Sequence, residues 1–376
     1  MNIRVFVPVE AYGARAAAAI RGERRGIAAE PQPQFGIRAR APLRLGLAGG
    51  GTDLSPYCDE HGGAILNATI ARYAYANLSF RNDHRVCFSA HDVKEDDVAP
   101  LAAELPLDSG LRLHRGVYNR IVRDFLHGRI HAICVNTTVD APPGSGLGAS
   151  SALVVALVEA YRAAFDLPLG PYDVARLAFE IERVDLGLAG GRQDQYAAAF
   201  GGLNFIEFLP GERVIVNPLR IARPYLCEFE ASLVVCFSGQ SRASAIIQDQ
   251  VAAVVTSDKG TLAAMHQLKS DAVDMKQALL RGDIQNVSDI LNRSWQAKRR
   301  TSELVSNSTV ERAFELARNN GAVAGKISGA GGGGFLMLMT DPDNRYRLIT
   351  ALNENGMYAS PVQFTEAGAE AWATSR

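Results

Sequence analysis

The 376-residue sequence predicts a mixed helix-and-strand protein of about two domains. Length carries the first part of this expectation, because a chain of this size can bury two separate cores. Strand-like runs in the first half and a mostly helical stretch from 245 to 320, followed by one more strand, carry the rest.

Composition narrows the functional classes. Hydrophobic residues are 47% and charged residues 21%, the balance of an ordinary globular protein. A net charge of -1 supplies no general field for nucleic acid or an acidic membrane, so neither is expected as a partner and any anion site must be local. The longest apolar runs fall far short of the roughly 18 residues that a membrane helix needs. Five cysteines (58, 87, 134, 227 and 236) are odd in number and form no CxxC pair. Free thiols in a reducing cytoplasm fit them better than a disulfide frame or a zinc site.

Residues 1–35 are expected to be a mobile extension. Up to residue 34 they carry five arginines against three glutamates, an alanine run from Ala16 to Ala19 and a Pro-Gln-Pro-Gln break. They match neither a secretory signal nor a transit peptide. Patterned sequence then begins. Leucines alternate at 43, 45 and 47, which predicts a half-buried strand. It ends in the turn Gly49-Gly50-Gly51-Thr52-Asp53, which delivers two polar side chains at its tip. Residues 64–80, rich in β-branched and aromatic side chains, predict more strand, and so do residues 131–139.

The strand at 131–139 runs into Pro142-Pro143-Gly144-Ser145-Gly146-Leu147-Gly148-Ala149-Ser150-Ser151, with an apolar helix from Ala152 behind it. Glycines at alternate positions let the backbone approach a ligand closely. A helix N-terminus then offers unpaired N–H groups and positive dipole, which suit a phosphate. The lysine of the common nucleotide loop is missing, and alone the motif reads by default as a glycine turn before a buried helix. Gly170-Pro171 starts the next helix, whose apolar stripe is Val174, Leu177, Ala178, Ile181 and Val184. Glu180 and Glu182 flank that stripe on opposite margins, so helical geometry leaves both open as cleft residues. Gly190-Gly191-Arg192-Gln193-Asp194-Gln195 follows, a turn that could cap the next helix.

Prolines at 210, 218 and 224 among short strand-like pieces suggest a domain crossing, and residues 233–237 read as a buried strand. The cluster Lys298-Arg299-Arg300 reads as a solvated helix face. Gly325 to Gly334 opens onto the strand Phe335–Met339. Four consecutive glycines there are costly in chain entropy, which a close approach to a ligand or another loop would offset.

The three glycine turns, in this order, resemble the motifs of the GHMP kinases (galactokinase, homoserine kinase, mevalonate kinase and phosphomevalonate kinase). Ala41-Pro42-Leu43-Arg44 with its turn matches the first motif, Pro142 to Ala152 the ATP loop, and Lys326 to Gly334 the third. The resemblance covers about residues 36 to 340. It implies an α+β architecture of two domains: a ribosomal protein S5 domain 2-like unit over 36–210 and a ferredoxin-like unit over 211–376. Within the family, Gly-Gly-Gly-Thr-Asp and Gly-Gly-x-Gln-Asp-Gln are most similar to the branch acting on D-glycero-D-manno-heptose 7-phosphate at its anomeric hydroxyl. Fucose-type sugar 1-kinases share much of the pattern.

The resemblance also implies roles. Pro143 to Ser151 would bind ATP, with Ser150 and Glu182 on Mg²⁺; a twelve-residue spacing to Asp194 selects Glu182 over Glu180. Asp194 would be the catalytic base. Arg44 would stabilise the transferring phosphate, in the place where mevalonate kinase has a lysine. Gly51, Thr52, Asp53, Arg192 and Gly331 would meet the sugar, and Arg192, Arg242 and Lys326 are candidates to read a distal phosphate. A silent ATP- and sugar-binding sensor of this family would commonly lack metal or base residues, and Ser150, Glu182 and Asp194 are all present. The expected partners are ATP and a small sugar phosphate, with the protein a monomer or homodimer. A dinucleotide oxidoreductase is excluded by its missing fingerprint.

Overall fold

The structure, a computed structural model, describes residues 35–239 and 243–375, so the expected extension before Phe35 lies outside the described residues. The first unit opens with β1 (Phe35–Ala48), α1 (Tyr57–His61), β2 (Gly63–Phe80), β3 (Arg85–Ala90) and β4 (Glu95–Pro100). It continues through α2 (Arg112–Asp124), β5 (Ile133–Val139), α3 (Ala149–Phe165) and α4 (Pro171–Glu180). Then come α5 (Gln193–Phe200), β6 (Leu203–Leu209) and β7 (Arg213–Pro218). The second unit holds α6 (Arg223–Ala231), β8 (Leu233–Phe237), α7 (Ala243–Val255), α8 (Lys259–Arg281), α9 (Ile284–Arg299) and α10 (Ser308–Asn319). It closes with β9 (Ala322–Ile327), β10 (Phe335–Thr340), α11 (Arg345–Glu354), β11 (Tyr358–Pro361) and β12 (Glu370–Ser375).

The first sheet has eight strands in the order β12-β1-β2-β5-β3-β4, with β6 and β7 branching from β2. The long β2 serves two neighbours: its first half pairs with β6 and its second with β5. The division expected after residue 210 does not follow this sheet, because Arg213–Pro218 pairs with β6 and Glu370–Ser375 returns to pair with β1. The expected strand-like piece around Pro224 is instead the helix α6, with that proline in its first turn.

β1 also departs from expectation. Leu43, Leu45 and Leu47 are fully buried, but so is the whole run from Ala41 to Ala48. Helices α3 and α5 of the first unit and α8 and α9 of the second all pack against this strand. A strand covered on both faces can still carry polar residues on one of them, provided that they find partners. Arg44 is such a residue.

The second sheet is antiparallel, in the order β11-β8-β10-β9. Its chain order of strand, helices, two strands, helix and strand is the ferredoxin-like split βαβ arrangement. Side chains alternate as a strand requires. Val234, Cys236, Leu336 and Leu338 join Phe314, Leu348 and Leu352 in one cluster, while Leu233, Val235, Met337 and Met339 face the main core. The end of β1, the start of α3 and the glycine run before β10 thereby meet at one cleft.

Candidate active site

The loop between β5 and α3 turns tightly, with Ser145 N–H donating to Pro142 O at 3.1 Å. Gly146 has a φ of +75°, and a Cβ there would stand 2.4 Å from Ser328 O. Only glycine fits. The neighbour that presses so closely is the third glycine segment, which Phe335 N–H fastens to Ser145 O at 2.8 Å. The close approach that the glycine-rich entry to β10 implied is therefore an approach to another loop. Gly144, Ser145, Gly146, Gly148, Ala149, Ser150 and Ser151 line the cleft at the N-terminus of α3. Pro143 and Leu147 do not line it: Pro143 is exposed, and Leu147 is fully buried with its carbonyl accepting from Arg44 N–H at 3.0 Å.

Helix α4 passes into one π-helical turn, Ile181–Asp185, closed by Leu186 N–H donating to Ile181 O at 3.0 Å. The wider turn changes the phase of the side chains that follow α4. Glu182 turns inward and is 1% exposed. Its Oε1 accepts from Ser150 Oγ at 2.9 Å, while Gln195 Nε2 donates to its Oε2 and, at 3.1 Å, to Ser151 Oγ. Glu180 points elsewhere, into ion pairs with Arg120 and Arg176. The two carboxylates that the sequence left open thus face different ways, Glu180 at the end of α4 and Glu182 inside the π turn. Among the described residues no group of three or more His, Cys, Asp or Glu could hold a metal alone. A hydroxyl and a carboxylate at the lip of an anion loop do fit Mg²⁺, which keeps several waters and takes phosphate oxygens.

Asp194, in the first turn of α5, packs directly against this loop: a Cβ at Gly148 would stand 3.2 Å from its Cγ. Its Oδ1 accepts from Arg44 Nε at 2.7 Å and forms an ion pair with Arg44 Nη2 at the same distance. Arg44 is itself held by β1 and by Gly146 O, to which its Nη1 donates at 2.6 Å. One buried guanidinium therefore joins the carboxylate to the glycine loop.

The turn after β1 supplies Gly51 and Asp53 to the same cavity, of about 320 Å³. Asp53 Oδ2 accepts from Gln193 N–H at 3.1 Å, which ties the turn to the start of α5. Thr52, expected at the sugar, has no such place. It is fully buried, and its hydroxyl donates to Gly49 O and Ala64 O and accepts from Ala64 N–H, so its role is to lock the turn. Gly331 also falls outside the cleft: a Cβ there would meet Val305 O at 2.9 Å, and its neighbours Gly329 and Ala330 line the wall instead.

Three cationic candidates separate clearly. Arg192 lines an adjoining cavity that shares Asp53, Leu54 and Arg183 with the first. Its Nη2 donates to Ser55 Oγ and Asp59 Oδ1, both at 3.1 Å, and its Nε meets no partner among the described residues. Lys326 cannot reach a ligand. It is buried under β1, donating to Gly46 O at 2.8 Å, and burial beside Lys298 and Arg44 lowers its ammonium to about 7. Arg242 lies outside the described residues.

Lys298 corrects the expectation of a solvated face. Its neighbours Arg299 and Arg300 are exposed, but Lys298 is 4% exposed and lines the cleft, donating to Gly50 O at 3.0 Å. Burial lowers its ammonium to about 8, against the pull of Asp53. Gln250 on α7 and Arg183 on the π turn line the cavity too, and no motif singled them out. A signal was present for two of the three. Gln250 continues the stripe Ile246, Gln250, Val254, and Lys298 the stripe Leu291, Trp295, Lys298, each a polar residue at a core position.

No helix among the described residues is long and apolar enough to cross a membrane. The chain matches the GHMP kinases N terminal domain over residues 112–202 and the GHMP kinases C terminal model over 275–356. It is 45% identical over 336 residues to D-glycero-alpha-D-manno-heptose 7-phosphate kinase of Campylobacter jejuni, covering 89% of this chain and 98% of that one. A crystal structure of a D-glycero-D-manno-heptose 1-phosphate kinase from Bacteroides thetaiotaomicron shares 42% identity at a TM-score of 0.76, over 89% of this chain and 98% of that one. Mevalonate kinase of Methanococcus jannaschii, at 12% identity and a TM-score of 0.71 over 89% of this chain and all of that one, shares the fold. A glycine loop, a guanidinium-held carboxylate and a two-unit α+β frame, found together with identity of this extent, mean that the chain belongs to the GHMP kinases and is an ATP-dependent sugar kinase.

Proposed function

We propose that this kinase transfers the γ-phosphate of ATP to the anomeric hydroxyl of D-glycero-D-manno-heptose 7-phosphate. The product would be the 1,7-bisphosphate used for nucleotide-activated heptose synthesis. The observation that carries the reading is Asp194, gripped by Arg44 and sharing one cavity with the α3 N-terminus and Asp53.

In this reading the backbone N–H groups of Gly144, Gly146 and Gly148 to Ser151 cradle the phosphates of ATP. Ser150 and Glu182 hold Mg²⁺, which neutralises phosphate charge when bound. Asp194 accepts the sugar's proton on Oδ2, the oxygen not engaged by Arg44. Arg44 orients that carboxylate and faces the charge on the transferring group. Asp53 accepts sugar hydroxyls. Arg192, with its unpartnered Nε, reads the 7-phosphate from the adjoining cavity. Five free cysteines support a cytoplasmic setting.

The heptose kinases of Campylobacter jejuni and Bacteroides thetaiotaomicron carry names that differ over the position of the phosphate. Chemistry favours the anomeric position as acceptor. A carboxylate is a weak base at neutral pH, and the anomeric hydroxyl is the most acidic hydroxyl of a sugar. An ADP-release screen tests the substrate, run with heptose 7-phosphate, heptose 1-phosphate, free heptose and fucose. Heptose 7-phosphate should give the highest kcat/KM. A preference for fucose would overturn the substrate and favour the second reading. That reading is supported by 26% identity to the bifunctional fucokinase/GDP-fucose pyrophosphorylase of Arabidopsis thaliana over 85% of this chain and 31% of that protein.

A further inference from the structure

Two side chains of the second unit enter the cleft beside the turn that ends β1. Gln250 is 1% exposed; its Nε2 donates to Thr301 Oγ1 at 2.7 Å, and its Oε1 accepts from no group among the described residues. Thr301 Oγ1 in turn donates to Lys298 O at 2.7 Å, so α7 and the end of α9 are tied together at this point. Lys298 Nζ donates to a single acceptor among the described residues, Gly50 O, and an ammonium carries three donors. Both groups converge on Gly51. A Cβ there would stand 3.2 Å from Lys298 Nζ and 3.7 Å from Gln250 Oε1, and the residue's φ of +108° also calls for glycine.

A buried amide oxygen without a donor and a buried ammonium short of acceptors are both costly unless a ligand completes them. The ligand group must accept from Lys298 and donate to Gln250. A hydroxyl does both. A phosphate would suit the ammonium but would set its oxygens against the Gln250 oxygen and the Asp53 carboxylate, which line the same cavity. We propose that Lys298 and Gln250 are specificity-determining residues that bind hydroxyls of the sugar, Lys298 donating and Gln250 accepting. The proposal rests on the sugar-kinase reading of the cleft and not on which sugar is used or which hydroxyl is phosphorylated.

The test is a split between two Michaelis constants, measured on the best sugar from the ADP-release screen. Lys298→Met and Gln250→Met should each raise the sugar KM by about tenfold or more, because a site built for a hydroxyl loses affinity steeply when one partner is missing. The ATP KM should stay within about twofold of wild type, a separation that general damage to the cleft does not produce. Cooperative melting of each variant establishes folding. Sugar KM values unchanged in folded variants would overturn the proposal. Should neither variant fold, sugars lacking one hydroxyl at a time are run on the wild type. At least one must then lose about tenfold in kcat/KM, and uniform tolerance overturns the proposal. A wild type that prefers fucose would sink the heptose assignment alone, since the same split is then read on fucose.

Discussion

The glycine loop and the turn proposed to bind the sugar share one cavity but are assembled in opposite ways. The loop takes its lining from one short stretch between Gly144 and Ser151, all but the buried Leu147, and the groups proposed to work there are backbone N–H donors at a helix end. The sugar side, as proposed, gathers Asp53, Gln250 and Lys298 from the turn after β1, from α7 and from α9, and its groups are side chains. A triphosphate looks the same in every kinase, and one contiguous backbone shape can serve it. A sugar is distinguished by where its hydroxyls stand, which calls for side chains aimed from several directions. The difference predicts that damage on one side leaves affinity on the other nearly intact, while damage between them stops transfer.

Asp194 and Arg44 lie between the two sides, so the largest effect is expected there. Asp194→Asn should lower kcat about a thousandfold, within the usual range for losing a general base, while calorimetry shows ATP affinity retained. Full turnover in that variant would remove Asp194 as the base. On the loop side, Glu182→Gln should raise the Mg²⁺ concentration for half-maximal rate by roughly 10- to 100-fold. Glu180→Gln, which alters only the pairs with Arg120 and Arg176, should change it by less than about twofold. Equal effects from the two glutamates would dissolve the distinction that the π turn makes.

On the sugar side, Arg192→Met should reduce the preference for heptose 7-phosphate over free heptose by about tenfold, the scale of one charge-assisted hydrogen bond. An unchanged ratio would assign the phosphate to another residue. The smallest effect concerns stability. Lys326 binds its proton more weakly folded, near 7, than unfolded, near the ordinary lysine value of 10.5. Unfolding between those values therefore takes up a proton, and this contribution to stability rises as pH increases through the window. Comparing melting temperatures at pH 7 and pH 9, the wild type should gain a few degrees relative to Lys326→Met. A pH-independent gap would mean that the carbonyls of Gly46 and Leu47 hold the charged form after all.

Legibility followed the same divide. The loop, its helix and the strands around it could be read because their signals are local: alternate glycines, an apolar run, a period of two. Local periodicity misjudged β1, since the helices that cover its second face come from α8 and α9, more than two hundred residues away. The same distance hid Lys298. In a Lys-Arg-Arg run it looks like solvated charge, and only its place one turn after Trp295 marks it as part of a buried stripe. Thr52 erred in the other direction: a threonine at a turn tip suggests a ligand, yet its hydroxyl is consumed by Gly49 and Ala64. Glu182 could not be separated from Glu180 by helical geometry, because the two flank the apolar stripe on opposite margins and the π turn that holds Glu182 leaves no local signal.

Phosphorus NMR of the reaction tests the central proposal most directly, with wild-type protein, ATP, Mg²⁺ and heptose 7-phosphate observed together. Expected is the loss of the ATP γ signal and the growth of a phosphate resonance coupled to the anomeric proton, while the 7-phosphate resonance persists. A new phosphate coupled to any other sugar proton, or ATP left unconsumed by a folded protein, would contradict transfer to the anomeric hydroxyl.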